Sequence, residues 1–287
     1  RTCVRKILRP LYRCSISSHE GYYCKDGNER HYSKEGYYEI GMYVVRPYIL
    51  KDLNTRNCIW RIPGNEKVIY LTFDDGPIPE LTPFVLETLN RHNAKATFFC
   101  VGDNARKHPH LLREIMGHGH SVGNHTHNHY DGWKKNSDEY EQNIKRGFDY
   151  IPGNLFRPPY GHITPWQINR MKEQVYIVLW TVLSYDYDHN TTPARCLRNV
   201  MRYTKRGSIV VFHENKKAIP RIKYALPRFI EHYTAQGYRF EALTEPVLQK
   251  ALHHNWINAS GKFMNKMIGN FSIPFIGSRE AGRKISG

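Results

Sequence analysis

The chain contains, at residues 68–77, the stretch Val68-Ile69-Tyr70-Leu71-Thr72-Phe73-Asp74-Asp75-Gly76-Pro77. Its first six residues are apolar, aromatic or β-branched without alternation, which is typical of a strand buried on both faces of a parallel sheet. Two adjacent carboxylates, Asp74 and Asp75, follow this run. Burying carboxylates is costly unless they bind a cation or react, so the stretch indicates a functional site. The alternative interpretation is a solvated turn, because Asp-Gly-Pro is also ordinary turn chemistry.

Short apolar runs of the same kind continue on the C-terminal side, as far as about Leu243. They alternate with amphipathic stretches of ~10–15 residues, which is the rhythm of parallel βαβ units. The predicted strands are Val68–Phe73, Ala96–Val101, Ser121–Gly123, Leu155–Arg157, Tyr176–Val182, Ser208–Phe212 and Tyr238–Ala242. The predicted helices are Pro83–Arg91, Pro109–Gly117, Asp138–Tyr150, Pro165–Glu173, Pro193–Thr204 and Pro220–Ala235. Seven strands in this order predict an α/β barrel or a doubly wound sheet, with reactive residues at the carboxyl ends of the strands.

A histidine-rich segment, His125-Thr126-His127-Asn128-His129, follows the third predicted strand. His125 and His129 are four residues apart, so one helical turn would place both imidazoles on one face, with His127 directed elsewhere. Together with the Asp75 carboxylate they would supply two nitrogens and one oxygen and leave a position open, as a catalytic zinc ion requires. The alternative is a solvated loop that is charged only below neutral pH.

Three further strand ends carry polar groups. Arg157 precedes Pro158-Pro159-Tyr160-Gly161, whose prolines and glycine fix the backbone and can orient a guanidinium and an N–H group. Asp186 follows the fifth strand, where it could hold Arg157, and His213 closes the sixth, where it could act as a general acid. Each alone could be an ordinary loop, ion-pair or core residue. Polar groups at five strand ends together favour an active site.

In these motifs the chain resembles the polysaccharide deacetylases of the NodB-homology group, carbohydrate esterase family 4. The resemblance covers about Trp60 to Leu243. The matching motifs occur in the family's order: Thr72-Phe73-Asp74-Asp75-Gly76, the histidine segment 125–129, Arg157-Pro158-Pro159-Tyr160-Gly161 and Val211-Phe212-His213. It implies a distorted seven-stranded (β/α) barrel, which agrees with the strand count.

The resemblance also implies roles for these residues in metal-dependent hydrolysis of an acetamide. The implied metal ligands are Asp75, His125 and His129. Zn²⁺ is the expected ion, and Co²⁺, Ni²⁺ or Fe²⁺ would suit the same ligands. Asp74 would be the general base, the Tyr160 backbone N–H would stabilise the oxyanion, and His213 would protonate the departing amine. An amide is a poor electrophile with a poor leaving group, so it needs a Lewis acid, a base and an acid together.

The fourth motif departs from the family pattern. Thr181 and Leu183 stand at positions that are often acidic in the family, and Tyr187 replaces the usual tryptophan after Asp186. Asp186 is still expected to pair with Arg157, which in the family orients the catalytic aspartate. We expect these changes to affect rate and specificity more than the type of reaction.

Composition and charge exclude other classes. Of the 287 residues, 40% are hydrophobic and 24% charged, which excludes collagen-like, low-complexity and wholly disordered chains. The net charge of +16 first suggests nucleic acid or a membrane surface. However, residues 1–61 hold 12 basic and 6 acidic residues and residues 246–287 hold 6 and one, which leaves only +5 for residues 62–245. No nucleic-acid partner is therefore expected, and no apolar run approaches the ~18 residues of a membrane-spanning helix.

Three segments are expected. Residues 1–61 form an N-terminal extension whose natural start could be Met42, residues 62–245 form the catalytic domain, and residues 246–287 form a basic tail that is partly helical or disordered. Six scattered cysteines without a CxxC pair predict reduced thiols rather than a disulfide framework. The lack of a visible leader favours the cytoplasm, whereas the family resemblance favours the cell envelope or the extracellular space if the N-terminus is incomplete.

The predicted function is the removal of N-acetyl groups, as acetate, from an amino-sugar glycan such as peptidoglycan or a chitin-like oligomer. The alternatives are a de-N-acylase or O-acetyl esterase acting on another envelope glycan or glycolipid, and a non-catalytic glycan-binding protein. The sequence leaves open which glycan is attacked and where, which metal is bound, and the oligomeric state. It assigns no function to residues 1–41 or to the tail.

Overall fold

The computed structural model describes residues 15–16, 22–23, 57–255 and 257. The chain divides into two compact units, Arg1–Tyr43 and Val44–Gly287. In the first unit, strands β1 (Ser15–Ile16) and β2 (Tyr22–Tyr23) pair antiparallel. The rest of the predicted N-terminal extension up to residue 56, and the disorder predicted for the end of the tail, lie outside the described residues.

A parallel sheet forms the centre of the second unit. Its strands are β3 (Cys58–Ile59), β4 (Val68–Asp74), β5 (Ala96–Cys100), β6 (Ser121–Asn124), β7 (Leu155–Phe156), β8 (Tyr176–Val178), β9 (Val182–Leu183), β10 (Ile209–His213) and β11 (Arg239–Phe240). Their order is β3-β8-β7-β6-β5-β4-β10-β9, and β11 pairs with the start of β4. Six of the seven predicted strands are confirmed, the seventh is divided into β8 and β9, and β3 is additional. The fold is the expected distorted (β/α) barrel, with nine strands and not seven.

The barrel closes through the segment that was predicted as one strand, Tyr176–Val182. This segment bends after β8, which pairs with β7 and β3, and continues as β9, which pairs with β10. At the bend the Leu179 N–H donates to the Ile59 carbonyl at 2.8 Å, and the Thr181 N–H donates to the Ile209 carbonyl at 2.9 Å. One continuous segment thus joins the two ends of the sheet.

Helices cover the outside of this barrel. They are α1 (Thr82–Arg91), α2 (Gly102–Lys107), α3 (Pro109–Gly117), α4 (Ser137–Phe148), α5 (Pro165–Met171), α6 (Pro193–Tyr203) and α7 (Ile219–Ala235), followed by a final helix at 245–255. All six predicted helices are confirmed, and five of them carry a proline in the first turn, where its missing N–H costs nothing. Helix α2 was not predicted, because six mostly polar residues show no apolar period. Among the described helices, none combines the length and apolar character needed to cross a bilayer.

The sheet and its core extend beyond residues 62–245 at both ends. Strand β3 lies in the segment that was predicted as an extension, and a two-residue strand carries no alternation that a sequence could show. In the final helix, Leu248 and Ala251 are fully buried within the core cluster that also contains Cys58. The described start of the tail therefore packs on the barrel.

Three of the six cysteines lie in the described residues. Cys58, Cys100 and Cys196 are buried and free, in agreement with the expected thiols. Burial raises the pKa of Cys58 to about 12, which favours the protonated thiol over the reactive thiolate.

Alternation along β4 assigns its side chains to two faces. The residues that pack outward, in the cluster shared with α1, α3 and α7, are Ile69, Leu71 and Phe73. Tyr70 belongs to the second core cluster, and Thr72 and Asp74 follow it at steps of two, so they share its face. Asp74 is therefore placed on the inner face, at the carboxyl end of the central strand.

Strand β10 lies beside β4 and brings His213 to the same place. Val211 belongs to the inner cluster, and His213 follows it two residues later. In the parallel register His213 lies opposite Asp74. Two residues that are far apart in sequence thus meet at one end of the barrel.

Candidate active site

Arg157 forms a buried ion pair at the end of β4. Its side chain is 0% exposed, and its Nη1 donates to Asp74 Oδ1 and to Thr72 Oγ1, both at 2.7 Å. Its Nε and Nη2 donate to the carbonyls of Val178 and Leu179 at 3.2 and 3.1 Å. Burial lowers the pKa of Arg157, and the adjacent Asp74 charge opposes that shift. The hydrogen bonds orient the Asp74 carboxylate, and its Oδ2 accepts none from the described residues.

Asp186 does not hold Arg157, so the expected pairing is wrong. The buried Asp186 carboxylate instead accepts from His213, whose ring Nδ1 and backbone N–H lie 2.7 Å from Oδ1 and Oδ2. The reason is the strand order: β9 pairs with β10, so the residues after β9 pass the end of β10. Arg157 is already occupied by Asp74 on β4.

The contacts of His213 favour its cationic form. Burial lowers its pKa, but the charge and hydrogen bond of Asp186, together with the charges of Asp75 and Asp74, outweigh burial and raise the pKa of His213 to about 9. Because Nδ1 donates to Asp186, Nε2 is the ring nitrogen that can deliver a proton. Tyr187, which stands where the family has tryptophan, packs edge-on against the His213 ring at 4.7 Å.

The three predicted metal ligands converge beside this pair. Asp75 Oδ1 lies 3.1 Å from His129 Nε2 and 3.6 Å from His125 Nε2, and the three ligand atoms lie within 4.8 Å of one another. His125 Nδ1 lies 2.7 Å from the Arg157 carbonyl oxygen. This contact makes Nδ1 the donor and leaves the His125 Nε2 lone pair facing Asp75.

The charge states of Asp75 and His125 suit a cation. Burial lowers the pKa of His125 to about 4, so its imidazole is neutral, as a metal ligand must be. Burial raises the pKa of Asp75, but contact with His129 and the charges of the neighbouring histidines outweigh burial and keep it below its ordinary value. Asp75 Oδ1 is buried and accepts no hydrogen bond from the described residues. A buried carboxylate oxygen without a donor, facing two imidazole nitrogens, fits a divalent metal.

The two histidines converge through a loop and not through the helical turn that was expected. Residues 125–129 are not helical. Thr126 and His129 have φ values of 61° and 55°, and Asp75 has a φ of 77°. Non-glycine residues adopt this left-handed conformation uncommonly, and such positions concentrate at functional sites.

An asparagine from α4 holds this loop. Asn143 Oδ1 accepts from the N–H groups of His127 and Asn128, both at 2.9 Å, and its Nδ2 donates to Asn128 Oδ1 at 2.8 Å. The His127 ring is directed away from the trio, as predicted, and packs against Tyr150 with a centroid separation of 5.5 Å.

Two more asparagines hold Asp75. Asn215 Nδ2 donates to Asp75 Oδ2 at 2.8 Å, and Asn104 Nδ2 donates to its carbonyl at 2.7 Å. Neither these residues nor Asn143 was identified from the sequence. Single asparagines in loops and helices carry no pattern, and only the fold brings them to the site.

A tight turn at Pro159–Gly161 positions the remaining predicted site residue. Tyr160 has a φ of 60°, and its exposed ring meets the His129 ring edge-on at 4.8 Å. Gly161 has a φ of 70°, and a Cβ there would lie 2.7 Å from the Trp180 ring. The close approach of this turn to the barrel therefore requires glycine.

Comparison with known proteins identifies the family. Residues 61–176 match the family model described as polysaccharide deacetylase. The chain is 34% identical over 193 residues to a peptidoglycan-N-acetylglucosamine deacetylase of Bacillus cereus. This alignment covers 65% of this chain and 91% of the relative. It is also 33% identical over 162 residues to a chitooligosaccharide deacetylase of Azorhizobium caulinodans. That alignment covers 54% of this chain and 77% of the relative.

A solved structure agrees with these relatives. The crystal structure of the Bc1960 peptidoglycan N-acetylglucosamine deacetylase matches with a TM-score of 0.62 and 33% identity, over 68% of this chain and 93% of that chain. The chain therefore belongs to the polysaccharide deacetylase family, and it is a hydrolase of carbon–nitrogen bonds that deacetylates glycans.

Proposed function

We propose that the protein removes N-acetyl groups from N-acetylglucosamine units of peptidoglycan or chitin-like chains, in a reaction that depends on a divalent metal. The observation that carries this proposal is the meeting of an arginine-held carboxylate, an aspartate-held histidine and an Asp-His-His trio at one end of the barrel. The relatives named as peptidoglycan and chitooligosaccharide deacetylases support the choice of substrate.

The trio Asp75, His125 and His129 would hold the metal. When bound, the ion would act as a Lewis acid that polarises the acetamide carbonyl and makes the attacking water more acidic. Two imidazole nitrogens and one carboxylate oxygen suit Zn²⁺, and also Co²⁺, Ni²⁺ or Fe²⁺.

The chain's own residues would move the protons. Asp74 Oδ2 accepts no hydrogen bond from the described residues and takes a proton from the attacking water. The oxygen of that water forms the new bond to the acetyl carbon. Arg157 holds the carboxylate in place through Oδ1. The Tyr160 N–H stabilises the developing oxyanion, a contribution worth about 3 kcal/mol for one donor. As the carbon–nitrogen bond breaks, His213 gives its proton to the departing amine, so the products are acetate and a free amino sugar.

Acetate release from a panel of glycans tests this function. We expect release from peptidoglycan or from N-acetylglucosamine oligomers, loss of release with a chelator, and recovery with zinc or cobalt. Release that persists without metal would contradict the proposed metal dependence. Release confined to acetylated xylan would instead favour an O-acetyl esterase.

Replacing Asp186 by asparagine should move the alkaline limb of the kcat/KM profile to lower pH. The Asp186 charge raises the pKa of His213, so its removal lowers that pKa. A general acid must be protonated, and activity is therefore lost at a lower pH than in the unchanged protein. We also expect the plateau of the profile to fall about tenfold, because asparagine offers only one acceptor oxygen where the ring Nδ1 and the backbone N–H of His213 each use one, so the ring is held less firmly. The profile is measured by acetate release over a pH series.

Asp188→Asn is the matched control for this substitution. Asp188 lies two residues further along the same loop, and its carboxylate accepts from Asn190 and Thr191 and not from His213. Its removal should leave the alkaline limb in place. An unmoved limb in Asp186→Asn as well would show that His213 is not the acid of this reaction.

A further inference from the structure

A row of aromatic rings leads from His129 to the protein surface. The Tyr160 ring lies 4.8 Å from His129, the His162 ring lies 5.7 Å from Tyr160, and the Trp133 ring lies 3.7 Å from His162. Trp133 and His162 are stacked with only 4° between their planes. The Trp133 side chain is 56% exposed, so the row ends in an indole with one face covered by His162 and a large part of its surface open.

The loop that carries Trp133 is held firmly in position. Asp131 Oδ1 accepts from the Trp133 N–H at 3.0 Å and lies 2.9 Å from His162 Nδ1. Gln167 Nε2 donates to the Gly132 carbonyl at 2.9 Å. A Cβ at residue 132 would clash with the His162 carbonyl oxygen, so this approach requires glycine. The indole is thus placed before any ligand arrives, which reduces the entropic cost of binding.

Exposure alone does not distinguish Trp133. Trp166 on α5 is 54% exposed, but its ring packs on the Arg170 guanidinium at 4.5 Å and lies outside the row. What distinguishes Trp133 is its continuity with the catalytic centre through His162 and Tyr160. Neither Trp133 nor His162 takes part in the proton transfers described above.

We propose that Trp133, backed by His162, is a subsite that binds a sugar ring of the glycan next to the unit that is deacetylated. The two intervening rings separate Trp133 from His129, so it would contact a neighbouring sugar and not the reacting acetamide. A pyranose ring presents axial C–H groups on its faces, and these suit the electron-rich face of an indole. Covering the exposed indole also removes apolar surface from water. This inference rests on the proposed function, because it assumes a glycan chain with its reacting unit at the Asp-His-His trio.

Dependence of activity on oligomer length tests the subsite. We compare Trp133→Ala with the unchanged protein on the shortest N-acetylglucosamine oligomer that is deacetylated and on oligomers several units longer. We expect kcat/KM for the long oligomers to fall about tenfold, which corresponds to about 1.4 kcal/mol, mainly through a higher KM. The shortest oligomer should be turned over at an unchanged rate. Trp133→Phe should restore most of the loss, and Trp166→Ala, the matched control, should change neither substrate.

Two results would overturn the subsite: an equal loss on all lengths, which indicates a structural role, or no loss on any length. Calorimetric binding of the same oligomers to Asp74→Asn and to Asp74→Asn/Trp133→Ala separates this inference from the proposed function. Weaker binding by the double variant supports the subsite even if the unchanged protein releases no acetate, in which case only the proposed function fails. Equal binding by both variants contradicts the subsite even if acetate is released.

Discussion

Replacing Asp74 by asparagine is expected to lower kcat for acetate release by about a thousandfold, with the bound metal nearly unchanged. Asparagine keeps the shape of the side chain, and its carbonyl oxygen can still accept from Arg157, which donates to Asp74 Oδ1 at 2.7 Å. It cannot take a proton from water at neutral pH. Loss of a general base typically costs 10²–10⁴-fold in rate, which is about the size expected here. The measurements are steady-state acetate release and metal content of the purified variant.

The neighbouring carboxylate supplies the matched control. Asp75→Asn changes the same functional group one residue away, but it weakens a ligand whose Oδ1 faces His125 and His129. This variant should lose both metal and activity. The opposite result, metal lost from Asp74→Asn and retained by Asp75→Asn, would show that the roles of the two aspartates are exchanged. Near-normal turnover by Asp74→Asn would show that neither oxygen of Asp74 serves as the base.

Replacing Arg157 by methionine is expected to lower the free energy of unfolding by about 3–5 kcal/mol. The substitution leaves the Asp74 carboxylate buried without its countercharge, and it removes the donors to the Val178 and Leu179 carbonyls. Methionine retains much of the side-chain volume, although it lacks the guanidinium that lies 4.1 Å over the Phe99 ring. The loss therefore reports on the charge more than on packing. Chemical denaturation of both proteins measures it.

The double variant Arg157→Met/Asp74→Asn separates the two effects. Removing both charges leaves no isolated buried ion, so much of the lost stability should return, although the double variant remains inactive. If Arg157→Met is no less stable than the double variant, the charges of Arg157 and Asp74 do not compensate each other in the folded protein. A loss of less than about 1 kcal/mol in the single variant would mean that water reaches Asp74 and that the pair is not desolvated.

Much of the fold could be predicted because its signals are local. Unbroken apolar runs predict strands that are buried on both faces, and amphipathic stretches that open on proline predict the helices between them. The same reasoning placed the reactive residues, since strands that run in parallel bring their carboxyl ends to one end of a barrel. The short elements β3 and α2 were not predicted, because two to six residues are too few to show a periodic pattern of apolar residues.

The partners within the site could not be predicted in the same way. Asp186 was expected to hold Arg157 and instead holds His213, because β9 pairs with β10. Which strands are neighbours in the sheet cannot be read from their order along the chain. The histidines converge through left-handed residues held by Asn143, and not through a helical turn. An asparagine has no periodicity, so its role becomes visible only when the fold brings it to its acceptor.

The sequence by itself therefore determined the strand and helix pattern, the residues that end the strands, and the family to which the chain belongs. These follow from periodicity and from motifs, which are properties of neighbouring residues. Only the tertiary structure decided that Asp74 pairs with Arg157 and Asp186 with His213. It also decided that Trp133 continues the row of rings from His129. Such pairings depend on strand order, register and loop conformation, and these arise when segments distant in sequence pack together.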